Sequence, residues 1–196
     1  MKAFRIALWV AAALLAGATL AVFWSMQGAN QNAIANEPYG SPFQLVDQNG
    51  DPVTEQALRG RPSAVFFGFT HCPEVCPTTL YELSGFQKEI AAEGAEPFQI
   101  VFVTVDPERD RPETLKSYVE SVSDDVLAIT GEPQAVAEML KGWGVIAERD
   151  GEGENYNVNH TATTFLIDEE GRLDGTIGYG EDPEMARGKL ERLSGV

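Results

Sequence analysis

An α/β domain with a mostly parallel central sheet is the fold class that this 196-residue sequence predicts. Three observations carry it. Continuous apolar runs of strand length, "SAVFFGFT" (63–70) and "FQIVFVTV" (98–105), read as strands buried on both faces. Amphipathic segments of helical length alternate with such runs, which is the pattern of a parallel sheet with helices on both faces. Turn signals bound the segments: Asn49-Gly50 between two short apolar stretches, Gly94 after a helical run, and Glu169-Glu170-Gly171 before the last strands.

The elements follow in order. Residues 6–26, "IALWVAAALLAGATLAVFWSM", carry no charge, long enough for one transmembrane helix. Lys2 and Arg5 precede this run and the next basic residue is Arg59, so the positive-inside tendency keeps the N-terminus cytoplasmic and exports the rest. A cleaved signal peptide is the competing reading, with an Ala-x-Ala-like pattern ending at Ala35. The apolar run exceeds the ~7–15 residues of a signal core, which favours an uncleaved anchor. No cysteine lies near its end, which excludes lipoprotein processing. Residues 27–41, "QGANQNAIANEPYGS", read as a polar tether, and the folded domain is expected over 42–196.

Within that domain "FQLVDQNGDPV" predicts a hairpin and 63–70 the first central strand. Pro77 opens a predicted helix ending near Gly94. Strand 98–105, helix 112–122, strand 126–130 and helix 133–143 follow. A Gly/Glu/Asn-rich loop covers 150–159, then strand 163–168, a closing hairpin through "RLDGTIGY", and a final helix over about 182–193. A single α/β domain with its reactive motif between the first central strand and the next helix is thioredoxin-like in outline.

That motif is "FGFTHCPEVCPTTL" (67–80), which holds both cysteines of the chain, Cys72 and Cys76. In open α/β sheets, ligands bind beyond the carboxyl ends of strands, where this loop sits. With Pro77 as the first helical residue, Cys76 becomes the expected helix cap, where the helix dipole favours thiolate. Three readings compete. A structural disulfide would close a tiny loop and stabilise the fold little. A redox pair usually has two intervening residues, and here there are three. A metal site needs a third ligand from only two histidines, His71 and His160. His71 adjoins Cys72 and is badly placed to share its metal. His160 stands where the loop enters the strand "TTFLID". Two thiolates and one imidazole suit Cu(I) and accommodate Cu(II) or Zn(II). Spacing alone leaves metal site and redox pair open.

Three segments, "FFGFTHCPEVCPTTL", "VFVTVDPERDRPETLKSYV" and "VNHTATTFLID", together resemble the SCO/SenC family, over about residues 40–180. These are membrane-anchored, thioredoxin-fold copper proteins that help assemble the dinuclear copper centre of cytochrome c oxidase. The resemblance implies one copper per domain, as Cu(I) or Cu(II), ligated by Cys72, Cys76 and His160. It implies cytochrome c oxidase subunit II as a partner, with another copper donor protein or a thioredoxin-like reductant as further partners. It places the protein in the inner membrane with its domain in the periplasm. "VNHT" stands where "DHS" is usual in the family, and nothing after Gly180 matches a family motif. Asp106, Arg109 and Asp110 match the family's Asp-Pro-Glu-Arg-Asp element, Asp106 being a candidate to support the site or face a partner. A thiol-disulfide reductase cycling Cys72 and Cys76 is the alternative; it has no need of His160.

The remaining residues fill in the picture. Phe66, Phe67, Phe69 and Met139 are expected in the core, and Trp143 and Tyr156 are candidates to line the approach to the metal. Beyond the apolar run, 30 acidic residues stand against 12 basic ones. So acidic a domain is repelled by nucleic acid and anionic lipid. No phosphate-binding glycine loop, dinucleotide fingerprint or Ser/His/Asp grouping is present.

Overall fold

The computed structural model describes residues 5, 6, 9, 14–21, 24, 38–153 and 155–196. It divides into two units, 1–37 and 38–196. In the first, residues 14–21 are helical. Among the described residues no helix is long and apolar enough to cross a membrane. Much of the expected span 6–26, and residues 27–37 of the expected tether, lie outside the described residues.

The second unit runs β1 (Gln44–Asp47), β2 (Pro52–Thr54), a 3-10 turn (Glu55–Leu58), β3 (Ser63–Gly68) and α1 (Val75–Ala92). It continues through β4 (Gln99–Thr104), α2 (Pro112–Glu120), β5 (Val126–Thr130) and α3 (Pro133–Gly142). Then come β6 (Ala147–Asp150), β7 (Asn157–His160), β8 (Thr163–Ile167), β9 (Leu173–Gly178) and α4 (Pro183–Leu193). Seven strands form one sheet in the order β2-β1-β5-β4-β3-β8-β9, and β6 pairs only with β7.

The sheet is mixed rather than mostly parallel. Only β3–β4 and β4–β5 are parallel; β1–β2, β1–β5, β3–β8 and β8–β9 are antiparallel. The reason lies in the connections. A parallel neighbour requires a crossover of a dozen or more residues, usually a helix. α1 and α2 supply it between the central strands. Between β7 and β8 there are only Thr161 and Ala162, so β8 enters at the carboxyl end of β3 and runs back along it, Thr164 opposite Phe66 and Ile167 opposite Ser63.

The expected 150–159 loop is largely the tip of a second hairpin, β6–β7, in which Ala147 faces His160. "AERD" and "NVNH" lack the apolar content of a buried strand, and the ladder forms because its backbone pairs locally.

β3 is buried at every position, which matches its unbroken apolar run. Successive side chains point to opposite faces. On one face Phe67 meets Trp143 at the end of α3 and Phe165 of β8, with ring centroids 5.3 and 5.7 Å apart. Tyr39 closes this cluster, edge-on to Trp143 and donating its hydroxyl to the Trp143 carbonyl at 3.2 Å. Residues 38–41, grouped by composition with the tether, therefore rest on the domain. Trp143 is 1% exposed and belongs to this core, not to the approach to the thiols. On the other face Phe66 pairs with Phe102 of β4, and Phe102 with Tyr118 of α2.

α2, α3 and α4 each begin with proline at the first helical position, where its missing N–H costs nothing. Asp182 caps α4 by accepting from the Glu184 and Met185 amides.

Because Phe67 joins the sheet to the α3 side, its removal opens a cavity between two rigid elements. Phe67→Ala is expected to lower the unfolding free energy by about 3–5 kcal/mol, read as a fall in the urea midpoint.

Candidate metal centre

The thiol loop leaves β3 at Gly68, turns through the Cys72 amide bonded to the Phe69 carbonyl at 3.2 Å, and enters α1. Glu74 is the cap of α1, so Val75, Cys76 and Pro77 form its first turn. The expectation that Pro77 begins the helix and Cys76 caps it is corrected here. First-turn amides have no partner within the helix, so proline is tolerated at the third position as well as the first. Cys76 consequently points inward and is 0% exposed, while Cys72 keeps partial exposure. Both cysteines are free.

Cys72 Sγ, Cys76 Sγ and a ring nitrogen of His160 lie within 4.8 Å of one another. The Cys76 amide donates to Cys72 Sγ at 3.3 Å, and Cys76 Sγ stands 3.6 Å from His160 Nε2. His160 Nδ1 lies 3.1 Å from the Thr161 carbonyl, an acceptor only. That contact assigns the proton to Nδ1 and leaves the Nε2 lone pair aimed at the sulfurs. Phe66 and Phe69 wall the imidazole edge-on, at 6.3 and 5.7 Å. These two phenylalanines are core residues, as expected, that also shape the site.

The ligand spacing fits a metal. Donors bound at about 2.0–2.3 Å to one ion sit roughly 3.5–4 Å from each other, so only slight contraction is needed. Soft sulfur with one imidazole suits Cu(I), and accommodates Cu(II) or Zn(II). His71 is not part of the group; its Nδ1 is 3.0 Å from Thr70 Oγ1 instead.

Desolvation governs the charges. Burial, followed by the Cys72 side chain, pushes the Cys76 thiol well above the usual range. The helix end was expected to favour thiolate at Cys76; in the metal-free protein burial outweighs it. Burial also holds His160 below the ordinary imidazole value, partly offset by the Thr161 carbonyl. Both shifts favour the neutral forms of Cys76 and His160, so a metal must displace a proton to use Cys76.

Asp110 pins the loop. It is 0% exposed, and its carboxylate accepts from the Thr70 amide (3.0 Å), Thr70 Oγ1 (2.5 Å) and Thr104 Oγ1 (2.7 Å). Burial raises its pKa and the Thr70 and Thr104 bonds oppose that rise. The sequence marked Asp110 only as part of a strand-end network. Its acceptors' partners lie 40 and 6 residues away, and no local pattern reveals the first of these.

Asp106 lies outside the ligand group. It is 4% exposed, accepts the Tyr156 hydroxyl at 2.6 Å, and pairs with Arg109. Arg109 also donates to the Tyr156 carbonyl at 3.0 Å, and the Arg109 and Arg149 guanidinium groups lie 3.6 and 3.7 Å from the Tyr156 ring centroid. Tyr156 is thus a clamp on the strand that carries His160, not a lining residue. Met139 is core, at 1% exposure.

A family model described as SCO1/SenC matches residues 31–195. The chain belongs to the SCO1/SenC family. It is 38% identical over 136 residues to the SCO2-like protein RP587 of Rickettsia prowazekii (strain Madrid E), covering 68% of this chain and 66% of that protein. It is 32% identical over 201 residues to the mitochondrial protein SCO2 of Saccharomyces cerevisiae, covering 95% and 67%. The chain therefore spans about two thirds of the length of these curated relatives. The structure of Bradyrhizobium japonicum ScoI with copper bound superposes with a TM-score of 0.71 at 37% identity, covering 79% of this chain and 99% of that one. Copper is bound in the similar structures of Arabidopsis thaliana ScoI and yeast Sco1 as well, and the more distant BsSco is a member of the Sco family of cytochrome c oxidase assembly proteins.

Two outcomes follow from the site. Asp110→Ala strands the Thr70 amide and Thr104 hydroxyl, so stability should fall by about 1–3 kcal/mol in urea unfolding. His160 has a folded pKa below its unfolded value of about 6.5, so its contribution is complete above that pH and is lost as pH falls through the folded pKa. Metal-free protein should lose stability as pH drops below about 6.5, and His160→Asn should flatten that part of the profile.

Proposed function

We propose that this SCO1/SenC protein is a membrane-anchored copper chaperone that delivers copper to, or prepares, the dinuclear copper site of cytochrome c oxidase subunit II. The convergence of Cys72, Cys76 and the Nε2 lone pair of His160 carries the reading. Copper is the cargo. Cys72 and Cys76 supply thiolates, and His160 supplies the nitrogen that Cu(II) prefers. The Thr161 carbonyl holds the imidazole in its metal-binding tautomer, and Asp110 holds the loop on which both thiols ride. Cys72 is the half-exposed ligand, the edge at which an incoming thiolate or another copper donor protein gains access. The apolar run 6–26 would hold the domain at the inner membrane on its periplasmic side.

One observation favours a second reading, a thiol-disulfide reductase acting on the cysteines of the recipient. An accessible Cys72 beside a buried Cys76 is the asymmetry that thiol exchange uses, one sulfur attacking and the other resolving. A thioredoxin-like reductant would then restore the pair.

His160→Ala separates the two. Its Cu(I) affinity should fall moderately, because two thiolates suffice for Cu(I), whereas Cu(II) should no longer be held stably. Copper titration with metal counting reads both, and the Cys72–Cys76 disulfide form should bind no copper. In cells, chaperone action predicts loss of oxidase maturation with His160→Ala at normal protein level. Full oxidase activity there would select the reductase.

A further inference from the structure

A groove of about 390 Å³ lies between α1, the β8–β9 hairpin and the start of α4. It adjoins the metal centre: Thr78, two residues after Cys76, and Ala162, two residues after His160, both line it. The Tyr179 amide donates to the Ala162 carbonyl at 3.1 Å, which ties one wall to the segment that carries the histidine. Leu83 and Phe86 of α1, Ile177 of β9 and Ala186 of α4 give an apolar lining. The fold covers Phe86 and Ile177 only in part, and Tyr179 is 51% exposed. Open apolar and aromatic surface rimmed by polar groups marks an interaction site. Two carboxylates line the groove, Glu82 and Glu181, and among the described residues no lysine or arginine does. Glu181 is engaged within the fold, by Lys189 at 2.6 Å and by the Gly178 amide at 3.1 Å. Glu82 is exposed and, among the described residues, its carboxylate has no partner.

We propose that this groove docks the protein that exchanges copper with the metal centre, seating a segment in which an apolar side chain adjoins a lysine or arginine. The inference rests on the copper-exchange reading of Cys72, Cys76 and His160. The apolar side chain packs on Phe86, Ile177 and Tyr179, and the cation pairs with Glu82. Charge complementarity selects this occupant. Beyond the apolar run, 30 acidic residues stand against 12 basic ones, so the domain repels acidic segments and steers basic ones toward it. A segment seated between Thr78 and Ala162 lies next to the helix turn of Cys76 and the strand end of His160. Ligand exchange with a partner held there gains from proximity rather than from chance encounter.

The rate of copper transfer from the loaded full chain to the soluble domain of cytochrome c oxidase subunit II tests this. Glu82→Lys should slow transfer by roughly tenfold and weaken its salt dependence, because a rim charge acts mainly on association. Tyr179→Ala should slow it by roughly five- to tenfold, as loss of an aromatic contact does. Glu138→Lys makes the same charge change on α3, outside the groove, and should alter the rate by less than about twofold. Cu(I) affinity and the rate of copper removal by a small chelator should stay at the wild-type value in all three, since none of these residues is a donor. Wild-type transfer rates in both Glu82→Lys and Tyr179→Ala would overturn the proposal. Equal slowing toward the chelator would also overturn it, by locating the effect in the metal site. So would equal slowing by Glu138→Lys, which would mean net charge alone. A wild-type chain that sediments as a dimer, with Glu82→Lys monomeric, would give the groove to a second copy of this chain instead. Wild-type protein that binds copper but passes none to the subunit II domain would refute the underlying reading, and the docking groove with it.

Discussion

The buried carboxylate of Asp110 is the constraint on which the rest of the site depends. Three donors converge on it, two from Thr70 in the thiol loop and one from Thr104 at the end of β4. Its backbone carbonyl takes the Thr130 hydroxyl at the end of β5. One residue thus joins the carboxyl ends of neighbouring strands to the loop that carries both sulfurs. A surface carboxylate bond is a minor term, but a buried one leaves stranded donors when broken. The loop is thereby tied to the end of β4 ahead of the two cysteines.

His160 reaches the same place by a separate route, 84 residues further along the chain. It ends β7, and the two-residue link to β8 forces that strand to start beside the end of β3. Antiparallel entry of β8 is therefore what delivers the imidazole; a parallel β8 would start at the opposite, amino end of β3. Tyr156, held by Asp106 and stacked near Arg109 and Arg149, fixes the approach of β7 from the other side. Asp106 and Asp110 divide the work. One secures the thiol loop and the other secures the strand of the histidine.

Much of this was legible in the residues. The central strands and the four helices follow from apolar runs and proline positions, whereas the three donors were implied by the family resemblance, since spacing alone left a metal site and a redox pair open. What escaped had no signal in the apolar pattern. The β6–β7 hairpin has a polar sequence, so no periodicity announces it. The start of α1 at Val75 depends on burial of Cys76, which overrides the preference that Pro77 imposes on its neighbour. Trp143 and Tyr156 are both aromatic residues downstream of the motif, yet they have different partners. Trp143 packs on Phe67 in the core, whereas Tyr156 is held by Asp106 and Arg109. Such partners lie far apart in sequence, and composition does not encode them.

Burial of Cys76 also bears on how such a site holds and releases a metal. A thiol at a helix start in water would ionise readily and react readily. Here desolvation reverses that tendency and keeps Cys76 protonated and shielded. His160, neutral for the same reason, carries no charge that would stabilise a thiolate. The metal-free pair is therefore closed to casual oxidation at the buried sulfur, while the half-exposed Cys72 remains reachable. Ion binding supplies the missing positive charge and takes the place of the proton. Protonation of Cys76 when the ion leaves avoids a buried anion there. Burial of one ligand with partial exposure of the other thus lets the site stand without an ion and still leaves one thiol within reach of an incoming one.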